Sequence, residues 1–233
     1  MIKMIWFLAR KEGMSVEAFQ TRWRDEHSQI VLEAPGIAAY VQSHTIPEAY
    51  DFYEPPWDGM ASIWFKDLET MAAAEASDAW KRSGVDSRDF IGKGARLVTT
   101  EAKLLDQYPS ARKRQSMIKY VGLPARRVGL SVAQYQEHWR NRHGPLVMAA
   151  FPQMPRYVQS HPLPETYDSD RPPAYDGVPE LWFPSLDGFP WGLIRRVGPP
   201  PAQPSTNPAA VDAQSLFELP IPGLVMREVA FVP

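Results

Sequence analysis

Cysteine is absent from the 233 residues. That excludes disulfides, thiolate nucleophiles and cysteine-ligated zinc together, and it suits a reducing, cytoplasmic interior. Charge of one sign is also scarce. The formal net charge is -2, and the only basic run of note is the Arg-Lys-Arg at 112–114. Nucleic acid and membrane surfaces therefore find no basic stripe to hold, and neither is expected as a partner. No stretch approaches the roughly 20 apolar residues of a spanning helix. The apolar run after Lys3 is short, and no small-residue cleavage site follows it, so the first residues read as a strand and not as an export signal. A glycine-rich phosphate loop and a G-x-S-x-G nucleophile elbow are missing too.

What is present is a core. Hydrophobic residues make up 44% of the chain and aromatics 12%, which excludes wholesale disorder. The chain also repeats itself. A shift of 116 lays GMSVEAFQTRWRDEH (13–27) on GLSVAQYQEHWRNRH (129–143) and Lys3 on Lys119. A shift of 117 lays YVQSHTIPEAYD on YVQSHPLPETYD, and one of 118 lays DGMASIWFKDLE on DGVPELWFPSLD. A shift that grows by single residues is the mark of a duplicated unit with loop insertions. The reading is a first unit at 1–106, a linker at 107–115 and a second unit at 116–233.

Within a unit the pattern reads βαββαβ. A β-rich run precedes Gly13. Ser15 and Ser131 open a helix, with capping-box spacing from Ser131 to Gln134, and the first helix runs to about Glu33 before Pro35-Gly36. AAYVQSH and MASIWF read as strands, DLETMAAAEASDAWKRS as a helix capped by Asp67, and ARLVTTEAKLL as the last strand. The predicted fold class is α+β: two ferredoxin-like units packed sheet to sheet as an intrachain pseudo-dimeric α+β barrel. In the second unit, Pro199–Pro201, Pro204 and Pro208 are expected to forbid a long second helix, leaving a short one around Trp191–Val197. The tail GLVMREVAFVP supplies the last strand.

Four of the five histidines form matched pairs, His27 with His143 and His44 with His161. Val16, Phe19, Trp23, His27 and Ile30 share one helix face, as do Val132, Tyr135, Trp139, His143 and Leu146. Alternation puts Tyr40, Gln42 and His44 on one side of a strand, and Tyr157, Gln159 and His161 on one side of its counterpart. His138 stands where Arg22 stands in the first unit and reads as solvated. The tryptophans Trp23, Trp139, Trp64 and Trp182 read most simply as core, and Asp58-Gly59 and Asp176-Gly177 equally well as turns. Imidazole and phenol in an apolar pocket suit proton transfer without a cofactor. His27 and His143 are the candidate bases. His44 and His161 complete the candidate catalytic set, and Tyr40, Tyr157, Trp23, Trp139, Gln42 and Gln159 are candidates for holding substrate. Arg10 and Arg126, at matched ends of the first strands, are candidates to hold a carboxylate, with solvated surface charge as the commoner alternative.

These segments, GMSVEAFQTRWRDEH, PGIAAYVQSH and DGMASIWFKDLE, resemble the EthD-like family of the dimeric α+β barrel superfamily. The resemblance covers nearly all of 1–105 and about 115–187. It implies a pocket between the first helix and the sheet for a small, often aromatic molecule. It assigns the family's helix-end histidine to His27 and His143, its strand tyrosine and histidine to Tyr40 and His44 and to Tyr157 and His161, and its Asp-Gly to Asp58 and Asp176. The expected function is a cofactor-free lyase acting by decarboxylation, water elimination or isomerisation on a hydrophobic aromatic or phenolic molecule. Two alternatives stand beside it: a non-catalytic binding protein for such a molecule, and a metal- or haem-dependent monooxygenase-like enzyme using His27, His44 and Asp58. No cofactor and no metal are assigned in the leading reading. The residues leave open a homodimer and a tandem that replaces one.

Overall fold

The computed structural model describes residues 1–194 and 205–232. The first repeat runs β1 (Ile2–Arg10), α1 (Val16–Arg22), a π-helical turn (Trp23–His27), α2 (Ser28–Leu32), β2 (Ile37–Thr45), α3 (Pro47–Tyr50), β3 (Gly59–Phe65), α4 (Leu68–Ala76), α5 (Asp78–Ser87) and β4 (Ile91–Asp106). After α6 (Ala111–Arg114) the second runs β5 (Ile118–Gly122), α7 (Val132–His138), a π turn (Trp139–His143), α8 (Gly144–Ala150), β6 (Arg156–Pro162), β7 (Val178–Phe183), α9 (Pro208–Leu216) and β8 (Gly223–Val232). No helix among the described residues is long and apolar enough to cross a membrane.

The strands close into one antiparallel barrel in the order β1-β3-β2-β8-β5-β7-β6-β4. This corrects the expectation of two ferredoxin-like units packed sheet to sheet. The repeats meet edge to edge: β2 pairs with β8, Ser43 opposite Glu228, and β4 pairs with β6, Glu101 opposite Ser160. The physical reason is the length of the last strands. β4 has 16 residues and β8 has 10, enough to pair with a strand of each repeat. An edge strand carries unpaired backbone groups, and closure removes every edge.

Alternation then sorts side chains into a lumen and an outer face. One end of the lumen is apolar, with Ile5, Phe7, Met60, Leu97, Val121, Val178, Leu224 and Met226 in one cluster. Two residues further along the same strand faces the lumen becomes ionic. Lys3 Nζ lies 3.1 Å from Glu101, and Lys119 Nζ lies 3.1 Å from Glu228. Glu180 joins both lysines, 2.6 Å from Lys119 and also paired with Lys3. Ser160 and Ser43 accept from Lys3 and Lys119 at 3.2 and 3.1 Å. Trp64 and Trp182 are part of this layer, with the two ammonium groups 4.9 and 4.8 Å from their ring centres. The sequence pattern aligned Lys3 with Lys119 but gave no hint that both are buried. The stretch 107–115, expected to be a linker, contains α6, and its Arg114 is buried with Nε 3.0 Å from Glu228.

The helices cover the outer face. Ser131 and Gln134 form the full capping box, and Asp67 caps α4 by accepting from Thr70 N at 2.8 Å. The expected single helix after Asp67 is two, because Ser77 ends α4 and caps α5. The second repeat departs from expectation at α9, nine residues long. Pro208 sits in its first turn, where no amide hydrogen is needed, and Asn207 caps it. Of the helix expected around Trp191–Val197, the described part is a 3₁₀ turn at Trp191–Leu193, and Arg195–Val197 lie outside the described residues.

Candidate functional site

The twice-written pentapeptide YVQSH is explained by the two faces of one strand. Val41 and Ser43, like Val158 and Ser160, point into the lumen, where the serines meet the lysines. Tyr40, Gln42 and His44 point outward beneath the first helix. Gln42 Nε2 donates to Trp23 O at 3.0 Å and to Tyr40 Oη at 2.8 Å, and its Oε1 lies 2.9 Å from His44 Nε2. Gln159 repeats this with Trp139 O, Tyr157 Oη and His161 Nε2 at 3.0, 2.9 and 3.2 Å. The amide group has used its hydrogens, so Oε1 must accept and Nε2 of His44 and His161 carries the proton.

The carbonyls that Gln42 and Gln159 hold open the π turns. Ser28 N and Gly144 N bond back five residues to Trp23 O and Trp139 O. The turn inserts one residue into the helix, and π turns favour functional sites. It ends at His27 in the first repeat and at His143 in the second. The six-membered rings of Trp23 and Trp139 lie against Gly59 and Gly177, where any added Cβ would sit well inside the ring's van der Waals surface. Those glycines follow Asp58 and Asp176 because an indole leaves no room for a side chain, a reason the turn reading did not supply.

His27 Nδ1 is 2.8 Å from Asp86 Oδ2, and His143 Nδ1 is 3.0 Å from Asp212 Oδ2. A carboxylate partner fixes the proton on Nδ1 and leaves Nε2 bare. Burial lowers the pKa of both histidines, against the opposing pull of Asp86 and Asp212, so both are neutral bases at neutral pH. Asp86 is held in turn by Arg22 Nη2 at 2.5 Å, and Asp212 by His138 Nε2 at 3.0 Å. His138, expected to be solvated, therefore occupies the place of Arg22 and does its work. Phe90 and Phe217 close the arrangement, each with its ring centre 5.1 Å from its histidine. Sequence reasoning missed Asp86, Asp212, Phe90 and Phe217. The available signal was the Val-Asp of VDSRDF and VDAQSLF, each followed by a phenylalanine four or five residues on.

Each histidine lines a cavity between the helices and the outer barrel face. The first, of about 500 Å³, brings together Trp23, His27 and Tyr40 with Trp6, Trp80 and Ile63. The second, of about 350 Å³, brings together Trp139, His143 and Tyr157 with Tyr120, Val147 and Phe217. Burial raises the pKa of Tyr40, and that of Tyr157 to about 12, so both stay phenols. Each accepts from a glutamine, which leaves its own hydrogen free to donate into the cavity.

The remaining candidates lie outside these linings. His44 and His161 pack against Trp23 and Trp139 at tilted angles with ring centres 4.6 Å apart, and burial lowers the pKa of each to about 3. Gln42 and Gln159 stand behind the tyrosines. Arg10 pairs with Asp58, which also accepts from Tyr50 Oη at 2.5 Å, and Arg126 Nε lies 3.0 Å from Asp176. These pairs tie β1 to β3 and β5 to β7. His27, His44 and Asp58, considered above as metal ligands, do not come together, and among the described residues no group of three or more such side chains could hold a metal ion.

Comparison with known proteins bears on the family and the fold. The EthD domain model matches residues 11–94 and 127–190, well over half of the chain. An anthrone oxidase-like protein superposes with a TM-score of 0.66 at 14% identity, over 98% of this chain and 90% of its own. A candidate monooxygenase from Lactobacillus acidophilus NCFM gives 0.55 at 9%, over 99% and 95%. An EthD family protein from Bacillus halodurans C-125 is 23% identical and corresponds to 44% of this chain and 99% of its own, with a TM-score of 0.37. The first two show the barrel fold. No curated protein matches the chain.

Proposed function

Because the chain belongs to the EthD domain family, we propose that it is a cofactor-free acid–base enzyme acting on a small aromatic or phenolic molecule. The reaction class is decarboxylation, water elimination or isomerisation. One observation carries the reading: in each repeat a carboxylate ties down Nδ1 of a buried, neutral histidine and leaves Nε2 for an apolar cavity that also holds a phenolic donor.

Nε2 of His27 or His143 removes a proton from the substrate. Tyr40 or Tyr157 donates to the oxygen on which negative charge collects, and the conjugated ring accepts the electron pair. The imidazolium then returns its proton, to carbon as carbon dioxide leaves or the double bond moves, or to a hydroxyl that departs as water. Asp86 and Asp212 stabilise the imidazolium while it exists.

The test is turnover of phenolic aromatic acids and hydroxylated polycyclic ketones, preselected by thermal shift and followed by product chromatography. His27→Ala and His143→Ala are compared singly and together. Losing the base is expected to cost about 10²- to 10⁴-fold in kcat at whichever repeat reacts. Asp86→Asn or Asp212→Asn should move the same repeat in the same direction. A folded double histidine variant with full turnover would sink the acid–base role. Binding without turnover in the parent protein, weakened by the same substitutions, would favour the accessory-protein reading instead.

A further inference from the structure

The loop between the second and third strands of each repeat reaches across to the other repeat. Alignment of the two loops puts Phe52, Tyr53 and Glu54 opposite Ser169, Asp170 and Arg171. The first-repeat loop is aromatic at this point. Phe52 packs on Trp191 with ring centres 4.5 Å apart, beside Pro190, Gly192 and Leu193 of the second cavity's wall, and Tyr53 Oη donates to Gly223 O at 3.0 Å. The second-repeat loop is polar, and its Arg171 lines the first cavity.

Arg171 is not the only cation there. Arg88, at the end of α5, lines the same cavity, whereas Lys93 borders it only from β4 and holds its ammonium on the lumen side, 4.4 Å from the ring centre of Trp57. Among the described residues, the one carboxylate on that lining, Glu75, is engaged by Arg96 at 2.8 Å. His27 is neutral, and Asp86 behind it is spent on His27 and Arg22. The first cavity thus has an apolar floor of indole rings and a rim with two positive charges, Arg88 and Arg171. Among the described residues, no Asp, Glu, Lys or Arg lines the second cavity.

We propose that the first cavity selects an aromatic carboxylate, ring down against Trp6, Trp23 and Trp80 and carboxylate up at Arg88 and Arg171, with Arg171 supplied by the opposite repeat as a specificity residue. This rests on the small-molecule reading above and adds the charge of the ligand and the origin of its selector. A guanidinium matches a carboxylate in two-point geometry, and a rim that is open to water tunes affinity moderately without locking the ligand in.

The experiment is calorimetric titration of the full chain with 2-naphthoate and, separately, 2-naphthol, which share a ring system and differ in charge. Naphthoate should bind more tightly. Arg171→Ala should weaken naphthoate by about three- to tenfold and leave naphthol within about twofold. The double variant Arg88→Ala, Arg171→Ala should remove the preference, as should a rise in salt. Arg171→Gln, which keeps most of the side-chain bulk, should behave as Arg171→Ala. If the double variant binds both probes as the parent does, charge selection is wrong while the cavity reading stands. If both probes weaken in parallel, the rim acts by packing and the proposal fails. If neither probe binds the parent, the cavity reading falls with it.

Discussion

The two repeats agree where backbone and side chain are locked together, and differ where only bulk or charge is at stake. Tyr, Gln and His of the second strand, the Trp and His of the π turn and the glycine beneath the indole recur in both, in the same hydrogen-bonded arrangement. Change any one and another loses its partner or its space. The cavity walls obey no such constraint. One is covered by α4 and α5 and rimmed with cations, and the other by α9 and apolar side chains. The lesson is that a duplicated site keeps its proton-transfer geometry and is free to change what it admits. That separation can be attacked at three places.

The largest effect is expected where the repeats differ most sharply in the lumen. Glu180 stands at the position of Ser62 and, among the described residues, alone joins Lys3 to Lys119. The two lysines force its carboxyl far below the usual range despite complete burial. Glu180→Ser would restore symmetry but strip two buried ammonium groups of a shared partner. Breaking a buried pair in this way costs about 3–5 kcal/mol. Urea unfolding should show a lower midpoint, and the reciprocal Ser62→Ala, which removes no ion partner, should cost far less. Equal losses from the two would mean that the ionic layer does not hold the repeats together.

Next come the glycines. Gly59→Ala and Gly177→Ala push a methyl group into fully buried indoles, Trp23 and Trp139. Overpacking of this kind costs about 1–3 kcal/mol. The two variants should lose similar stability, yet each should disturb only its own repeat's cavity, because each indole lies just before its own histidine. Thermal melts and probe binding measured on the same samples separate these outcomes. A variant that melts like the parent would show that the indole moves freely, and the comparison would lose its structural anchor.

Much of this was legible in advance, and the gaps have physical causes. The repeat offsets, the capping residues, the inward histidines and the tyrosine–glutamine–histidine face follow from periods of 3.6 and 2, which are local properties. Edge-to-edge closure depends on how far β4 and β8 outrun their own repeat, and no local period reports that. Asp86 and Asp212 were missed for a related reason: they come from helices whose sequences diverged, so the constant repeat shift does not pair them and only the short shared Val-Asp remains. Pro208 misled because proline forbids a helix interior and favours a helix start, and only the position within the helix distinguishes the two.

The smallest effect is the most direct probe of equivalence. Arg22 and His138 back the two carboxylates from matched helix positions, and both lower the pKa of the neighbouring catalytic candidate. Removing either should raise that pKa for two reasons that act together: a repelling cation is lost, and the freed carboxylate attracts the imidazolium more strongly. A base works when neutral, so a raised pKa moves the acid limb of its activity to higher pH. Arg22→Ala should shift His27 by up to about one unit, and His138→Ala should shift His143 by less, since a guanidinium keeps its charge at every pH and an imidazole does not. Histidine C–H resonances titrated by NMR follow both without any substrate. Arg142, 3.1 Å from Asp212, is a second cation on that carboxylate with no counterpart at Glu26, and it should blunt the second shift further. Two equal shifts would mean that the carboxylates, not their cations, set the basicity of both sites.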